Sequence, residues 1–89
     1  GAKLKNTDLS NSNLREVTLD SANLEGTDLT NTNLEDSFAF SAQFQDVKIY
    51  GADFTNVYLT KDVLREFCKK AEGINSFTNR KTIDTLDCG

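Results

Sequence analysis

An apolar residue recurs at every fifth position from Leu4 to Leu59: Leu4, Leu9, Leu14, Leu19, Leu24, Leu29, Leu34, Ala39, Phe44, Ile49, Phe54 and Leu59. A second series lies two residues before each of these, from Ala2 and Thr7 to Ala52 and Val57, and every member is small or β-branched. A period of five fits neither the helical repeat of 3.6 nor the strand repeat of two. Within each unit the two series alternate inward as in a strand, with the residue between them facing out. The alternation then resets. The chain must therefore turn at the remaining two positions, which carry Asn6, Asn11, Gly26, Asn31, Asp36, Gly51 and Asn56, residues suited to tight turns. Short sides ending in corners bury their inward residues together only by winding into a solenoid.

The segments Ala22-Asn23-Leu24-Glu25-Gly26 and Ala52-Asp53-Phe54-Thr55-Asn56 resemble the A(D/N)Lxx signature of pentapeptide-repeat proteins, and the resemblance spans residues 2–61 as twelve units. It implies an all-β solenoid: a right-handed quadrilateral β-helix with four units per coil, about three coils here, stacked at the ~4.8 Å strand spacing. Folding the series in fours tests this. Leu4, Leu24 and Phe44 form one column, and Leu14, Leu34 and Phe54 the opposite one. Leu9, Leu29 and Ile49 form a third, and Leu19, Ala39 and Leu59 the fourth. The column preceding the first side reads Ala2, Ala22, Ala42, as a narrow interior corner requires.

A solenoid end exposes backbone groups and apolar cross-section, and so needs a cap. After Lys61 the pattern becomes helical, with Val63, Leu64, Phe67, Cys68 and Ala71 on one face. Asp62 is placed to cap its N-terminus, and Lys69 and Lys70 suit its last turn. Gly73 followed by Ile74 predicts a Schellman stop with its hydrophobic contact. A polar loop over 75–79 precedes a shorter helical piece over 82–86. The chain thus divides into a repeat region, 2–61, and a helical cap, 62–89. No matching cap precedes the repeats, so that end is expected to be truncated or closed by a partner molecule.

Cys68 and Cys88 admit two readings, a pair of buried reduced thiols or a disulfide clamping the tail. The disulfide is favoured, because a terminus frays unless tied down and nothing else near Cys88 holds it. With no histidine in the chain, the cysteines make no zinc or iron site. The tail from Phe67 to Cys88 also resembles the cap of pentapeptide-repeat proteins from cyanobacteria and the chloroplast thylakoid lumen, of the form LCxxAxGxNxxTGxxTRxSLxC. Phe67, Asn79 and Ile83 depart from that form; the cysteines and Gly73-x-Asn75 retain it. The resemblance implies a lumenal protein reached after cleavage of a targeting peptide, consistent with a chain that contains no methionine.

Charge changes the picture little. Residues 1–61 carry five bases and nine acids, while residues 62–89 carry five of each. The acidic repeat region argues against phosphate-backbone binding, which needs clustered Lys or Arg. It leaves room for a basic protein partner, although an acidic surface also simply favours solubility. No apolar run reaches the ~20 residues of a membrane span. Asp8 and Asp28 stack in one outward column with Lys48 next; a solvated face neutralised by Lys48 is preferred to a hard-cation site.

Catalysis finds no support. There is no histidine base, no serine beside a recognisable base and no phosphate-cradling glycine loop. The unusual surface feature is aromatic: Phe38 and Phe40 flank Ala39, the one small centre, with Tyr58 one coil on and Tyr50 on an adjoining face. Exposed together they form a protein-contact patch; alternatively Phe38 or Phe40 packs beneath the tail. The sequence therefore predicts a non-enzymatic structural or protein-interaction module without cofactor or metal. Its partner is a protein of unidentified kind, with no nucleic acid and no membrane insertion, and the chain is a monomer or weakly self-associating. The alternative is a DNA-mimicking regulator similar to the pentapeptide-repeat gyrase inhibitors.

Overall fold

The computed structural model describes residues 2–88. The local unit is a corner. At ten of the twelve centres, all but Phe44 and Leu59, the carbonyl accepts from the N–H three residues on, as in Thr7 to Leu4 at 3.1 Å and Ala52 to Ile49 at 2.9 Å. The third corner residue takes a positive φ, for example 58° at Asn6, 57° at Asn31 and 72° at Gly51, as a type II turn demands. Asn and Gly tolerate this region best. Glu16, at 61°, is held there by the repeat despite its side chain.

At six of the twelve units an outward Asn or Asp precedes the centre and fixes the approach to the corner. Its Oδ1 accepts the N–H two residues on: Asp8 from Ser10 at 2.9 Å, Asn23 from Glu25 at 3.0 Å, Asp53 from Thr55 at 2.9 Å. These Asx turns explain why the repeat prefers Asn and Asp at that position.

Four sides complete a coil, and each coil stacks on the next through parallel bridges between residues twenty apart. Lys3, Asn23 and Gln43 pair in series on the first side, Asp8, Asp28 and Lys48 on the second, and Asn13, Asn33 and Asp53 on the third. The fourth side differs: Thr18 pairs with Phe38, and the ladder stops there. Each bridge is isolated rather than part of an extended strand, because only about three residues separate one corner from the next. The expected all-β architecture is thus a stack of bridged corners, with little conventional sheet.

The interior follows the columns. Leu24, Leu29 and Leu34 of the middle coil are fully buried. Two inward threonines satisfy their hydroxyls on the coil before: Thr27 Oγ1 donates to Leu4 C=O at 2.5 Å and Thr32 Oγ1 to Leu9 C=O at 2.7 Å. Burying a hydroxyl is tolerable on those terms.

Helix α1 (Lys61–Lys70) covers the far end. Its N-cap is Thr60, whose Oγ1 accepts from Val63 N–H at 3.4 Å, and not Asp62. Asp62 lies in the first turn, where its charge suits the helix dipole. Phe67 enters the open coil between two aromatics of the last coil, 5.4 Å from the Phe44 ring and 5.0 Å from that of Phe54. Lys70 Nζ donates to Val47 C=O, anchoring the last turn of α1 to the coil beneath. The expected Schellman stop is absent. The C-cap is Ala71 in extended conformation, and Ile74 is exposed. Gly73 serves another purpose at φ 88°: a Cβ there would meet the Tyr50 ring at 2.8 Å. Beyond it, Ile74 pairs antiparallel with Lys81 and leads to the single-turn helix α2 (Thr82–Thr85). Cys68 and Cys88 form a disulfide, with their Cα atoms 5.7 Å apart. Among the described residues no helix is long and apolar enough to cross a membrane.

Candidate interaction site

The four aromatics singled out by sequence are all exposed: Phe38 by 60%, Phe40 by 59%, Tyr50 by 59% and Tyr58 by 80%. None is packed away beneath the tail, but they do not form one patch. Phe38 and Tyr58 occupy the fourth side, with Phe40 at the corner leaving it. Tyr50 sits at the corner leaving the second side, which the four-sided coil separates from the fourth, and its ring lies against Gly73. Sequence adjacency of the units had suggested a shared surface; the winding places Tyr50 elsewhere.

The corner after Phe38 is also irregular. Ala42 N–H still donates to Ala39 C=O at 3.1 Å, but Ser41 does not take the positive φ of its counterparts. Its hydroxyl instead accepts from Ser21 N–H at 3.1 Å. The equivalent contact at Asn6 runs from backbone N–H to the Glu25 carbonyl.

Between the fourth side and the C-terminal tail lies a cleft of about 600 Å³. Phe38, Val57, Tyr58 and Leu59 line it from the solenoid, Leu64 from α1, and Thr85, Leu86 and Asp87 from the tail. Ser37 lies at its floor, almost wholly buried, and its hydroxyl has no hydrogen-bond partner. Sequence reasoning passed over Ser37 because it read there as an ordinary small inward residue.

A polar cluster fixes the third side to the cap. Arg80 Nε donates to Asp53 Oδ2 at 2.8 Å, and Arg80 donates from Nη2 to Glu35 Oε1 at 2.8 Å. Arg15 Nε lies 3.8 Å from the same Glu35 oxygen. Asp53 is fully buried. Burial pushes its pKa up, but hydrogen bonds from Thr55, Thr78 and Arg80 outweigh that and hold it below the ordinary carboxylate value. The Asp53 and Glu35 carboxylates raise the Arg80 pKa further. The stacked Asp8 and Asp28 each cap their own corner, through Ser10 and Thr30. The Ser10 hydrogen bonds lower the Asp8 pKa.

Comparison with known proteins agrees with this geometry. Residues 1–36 match the pentapeptide-repeat family model as eight copies. A 45-residue stretch, 51% of this chain, is 47% identical to the thylakoid lumenal 15 kDa protein 1, chloroplastic, of Arabidopsis thaliana, of which it covers 20%. The crystal structure of a pentapeptide repeat protein from the Arabidopsis thaliana thylakoid lumen superposes with a TM-score of 0.92 at 40% identity, over 99% of this chain and 61% of that one. The chain thus spans about a fifth of one relative and three-fifths of the other. The repeat, the twenty-residue ladder, the disulfide-tied helical cap and these likenesses together make the chain a pentapeptide-repeat protein related to those of the thylakoid lumen.

Proposed function

We propose that this chain is a non-enzymatic protein-interaction module of the thylakoid lumen, built on a right-handed quadrilateral β-helix. The observation that carries this is the exposure of Phe38, Phe40 and Tyr58 around one side of a scaffold braced by its cap. Isolated surface aromatics need no explanation, but three beside one cleft fit a contact surface. The lumenal location is supported by both relatives, which are thylakoid lumenal proteins. The DNA-mimic alternative asks for an acidic surface throughout, whereas the cap carries five bases and five acids.

Affinity capture from thylakoid lumen extract tests the module. The wild-type chain is expected to retain protein that a Phe40→Ser variant loses, with both variants melting at the same temperature. Identical captured sets would count against a contact at this surface.

A further inference from the structure

We propose that the cleft between the fourth side and the tail binds an extended peptide by strand addition, taking an apolar residue flanked by lysine or arginine. This rests on the interaction-module reading and names the partner's chemistry.

The first observation is a broken ladder. One coil earlier on this side, Leu19 N–H donates to Phe38 C=O at 2.6 Å and Phe38 N–H to Val17 C=O at 2.9 Å. The equivalent bonds, from Ala39 to Tyr58 and from Tyr58 to Ser37, do not form. The cause is geometric. Coils stack at the ~4.8 Å strand spacing, whereas a helix with its side chains is about 10 Å across. The chain leaving Phe54 must climb to bring α1 over the solenoid, and it parts from the coil beneath. Ser37 C=O and Ala39 N–H are left as an unpaired edge, the template used when a peptide adds as a strand.

The second observation is Ser37 itself. Thr27 and Thr32, inward residues of the two preceding units of the same coil series, bond their hydroxyls to carbonyls. Ser37 Oγ is equally buried and has no partner. A buried polar atom without a partner is costly, and the backbone of an inserted peptide supplies both a donor and an acceptor.

Shape and charge define the occupant. The cavity lies within the ~300–1,000 Å³ range of binding sites for small ligands or a few residues. Val57, Leu59, Leu64 and Leu86 provide apolar walls. Its charged lining residues are Asp36 and Asp87, with no lysine or arginine among them. The rim therefore favours a cationic flank, which the faces of Phe38 and Tyr58 also suit.

The test uses the full chain with its disulfide intact and a fluorescently labelled peptide of sequence KVTVK, with EVTVE as its charge-reversed match. Anisotropy titration should show binding of KVTVK, weakened about tenfold or more for EVTVE and for KVTVK against an Asp87→Lys variant. Asp87 is exposed, so the variant should retain its melting temperature. Amide shifts in NMR spectra should centre on Ser37, Ala39 and Tyr58. Absence of binding, equal binding of the two peptides, or shifts centred on another side would overturn the proposal. Phe40 lies outside the cleft lining, so the outcomes separate. Capture that depends on Phe40 without KVTVK binding sinks the cleft and spares the module; KVTVK binding with the predicted shifts supports the cleft whatever Phe40→Ser does.

Discussion

Asn75 and Gly51 join the cap to the solenoid: the buried Asn75 Nδ2 donates to Gly51 C=O at 3.0 Å, and also to Thr32 C=O at 3.2 Å. Its Oδ1 accepts from the N–H groups of Phe77 and Thr78, so both ends of the amide are engaged. Gly51 gives the passing chain room, since a Cβ there would lie 3.2 Å from Ile74 C=O. Asn75→Ala should remove about 2–4 kcal/mol of stability, because it strands several polar groups at once. Asn75→Asp keeps the shape but loses the donor, and should cost a comparable amount above pH 5. Urea unfolding followed by circular dichroism measures both. A loss under about 0.5 kcal/mol would show that water replaces the amide.

The Asp53–Arg80 pair sets an acid limit. Asp53 has a folded pKa below its unfolded value of about 3.9. Its contribution is therefore complete above that value and is lost as pH falls through the lower folded pKa. Arg80→Met removes one of the hydrogen bonds that hold this pKa down. The variant should be less stable at neutral pH, and its acid-unfolding midpoint should move to higher pH. An unchanged midpoint would mean that Thr55 and Thr78 alone hold the carboxylate.

Corner strain can be relieved selectively. Glu16 sits at φ 61°, where a side chain beyond Cβ gains nothing and Asn or Gly fits better. Glu16→Asn should raise stability by about 0.5 kcal/mol. Ser41→Gly should give no such gain, since Ser41 lacks the positive φ and its hydroxyl accepts from Ser21. Melting temperatures of the two variants decide this; a gain at position 41 would show that the irregular corner is strained.

The disulfide holds the tail that walls the cleft. Cys68 and Cys88 enclose a separation of 20 residues, so reduction should cost roughly 3 kcal/mol in the loop-entropy model. The tail from Leu86 onward should then exchange its amide protons faster than the repeat region, as measured by hydrogen exchange with and without reductant. Uniform protection in both states would show that the Leu86 packing alone fixes the tail.

Much of this fold was legible because its signal is periodic. The centre column, the inward small residues and the Asx-forming Asn and Asp positions each report a local constraint repeated in every coil. The twenty-residue register came from the four units per coil that the family resemblance implies, and the columns, Ala2, Ala22 and Ala42 among them, agree with it. The helix start was misplaced because Asp62 and Thr60 are both acceptable caps, and the choice depends on where the chain departs from the last coil. The Schellman expectation failed for a related reason: Gly73 is required by Tyr50, fifty positions into the chain and invisible to a local motif. The site was legible only in part. Phe38-Ala39-Phe40 marked the irregular region, but the cleft arises from the mismatch between strand spacing and helix width at the cap. That mismatch leaves no residue pattern, so Ser37 gave no signal.

The twenty-residue ladder also sets which changes of length the chain can absorb. Asn75 docks on Thr32 and Gly51, and Arg80 on Glu35 and Asp53, so the cap is keyed to particular sides. Gain or loss of one five-residue unit between Asp53 and α1 rotates the cap a quarter revolution and sets both anchors on the wrong side. The same change before Thr32 leaves every anchor in place, because the cap reads only the coil and a half beneath it. The molecule can thus lengthen or shorten freely at the end away from the cap, in the manner of a threaded bolt whose shank is cut to any length below a fixed head.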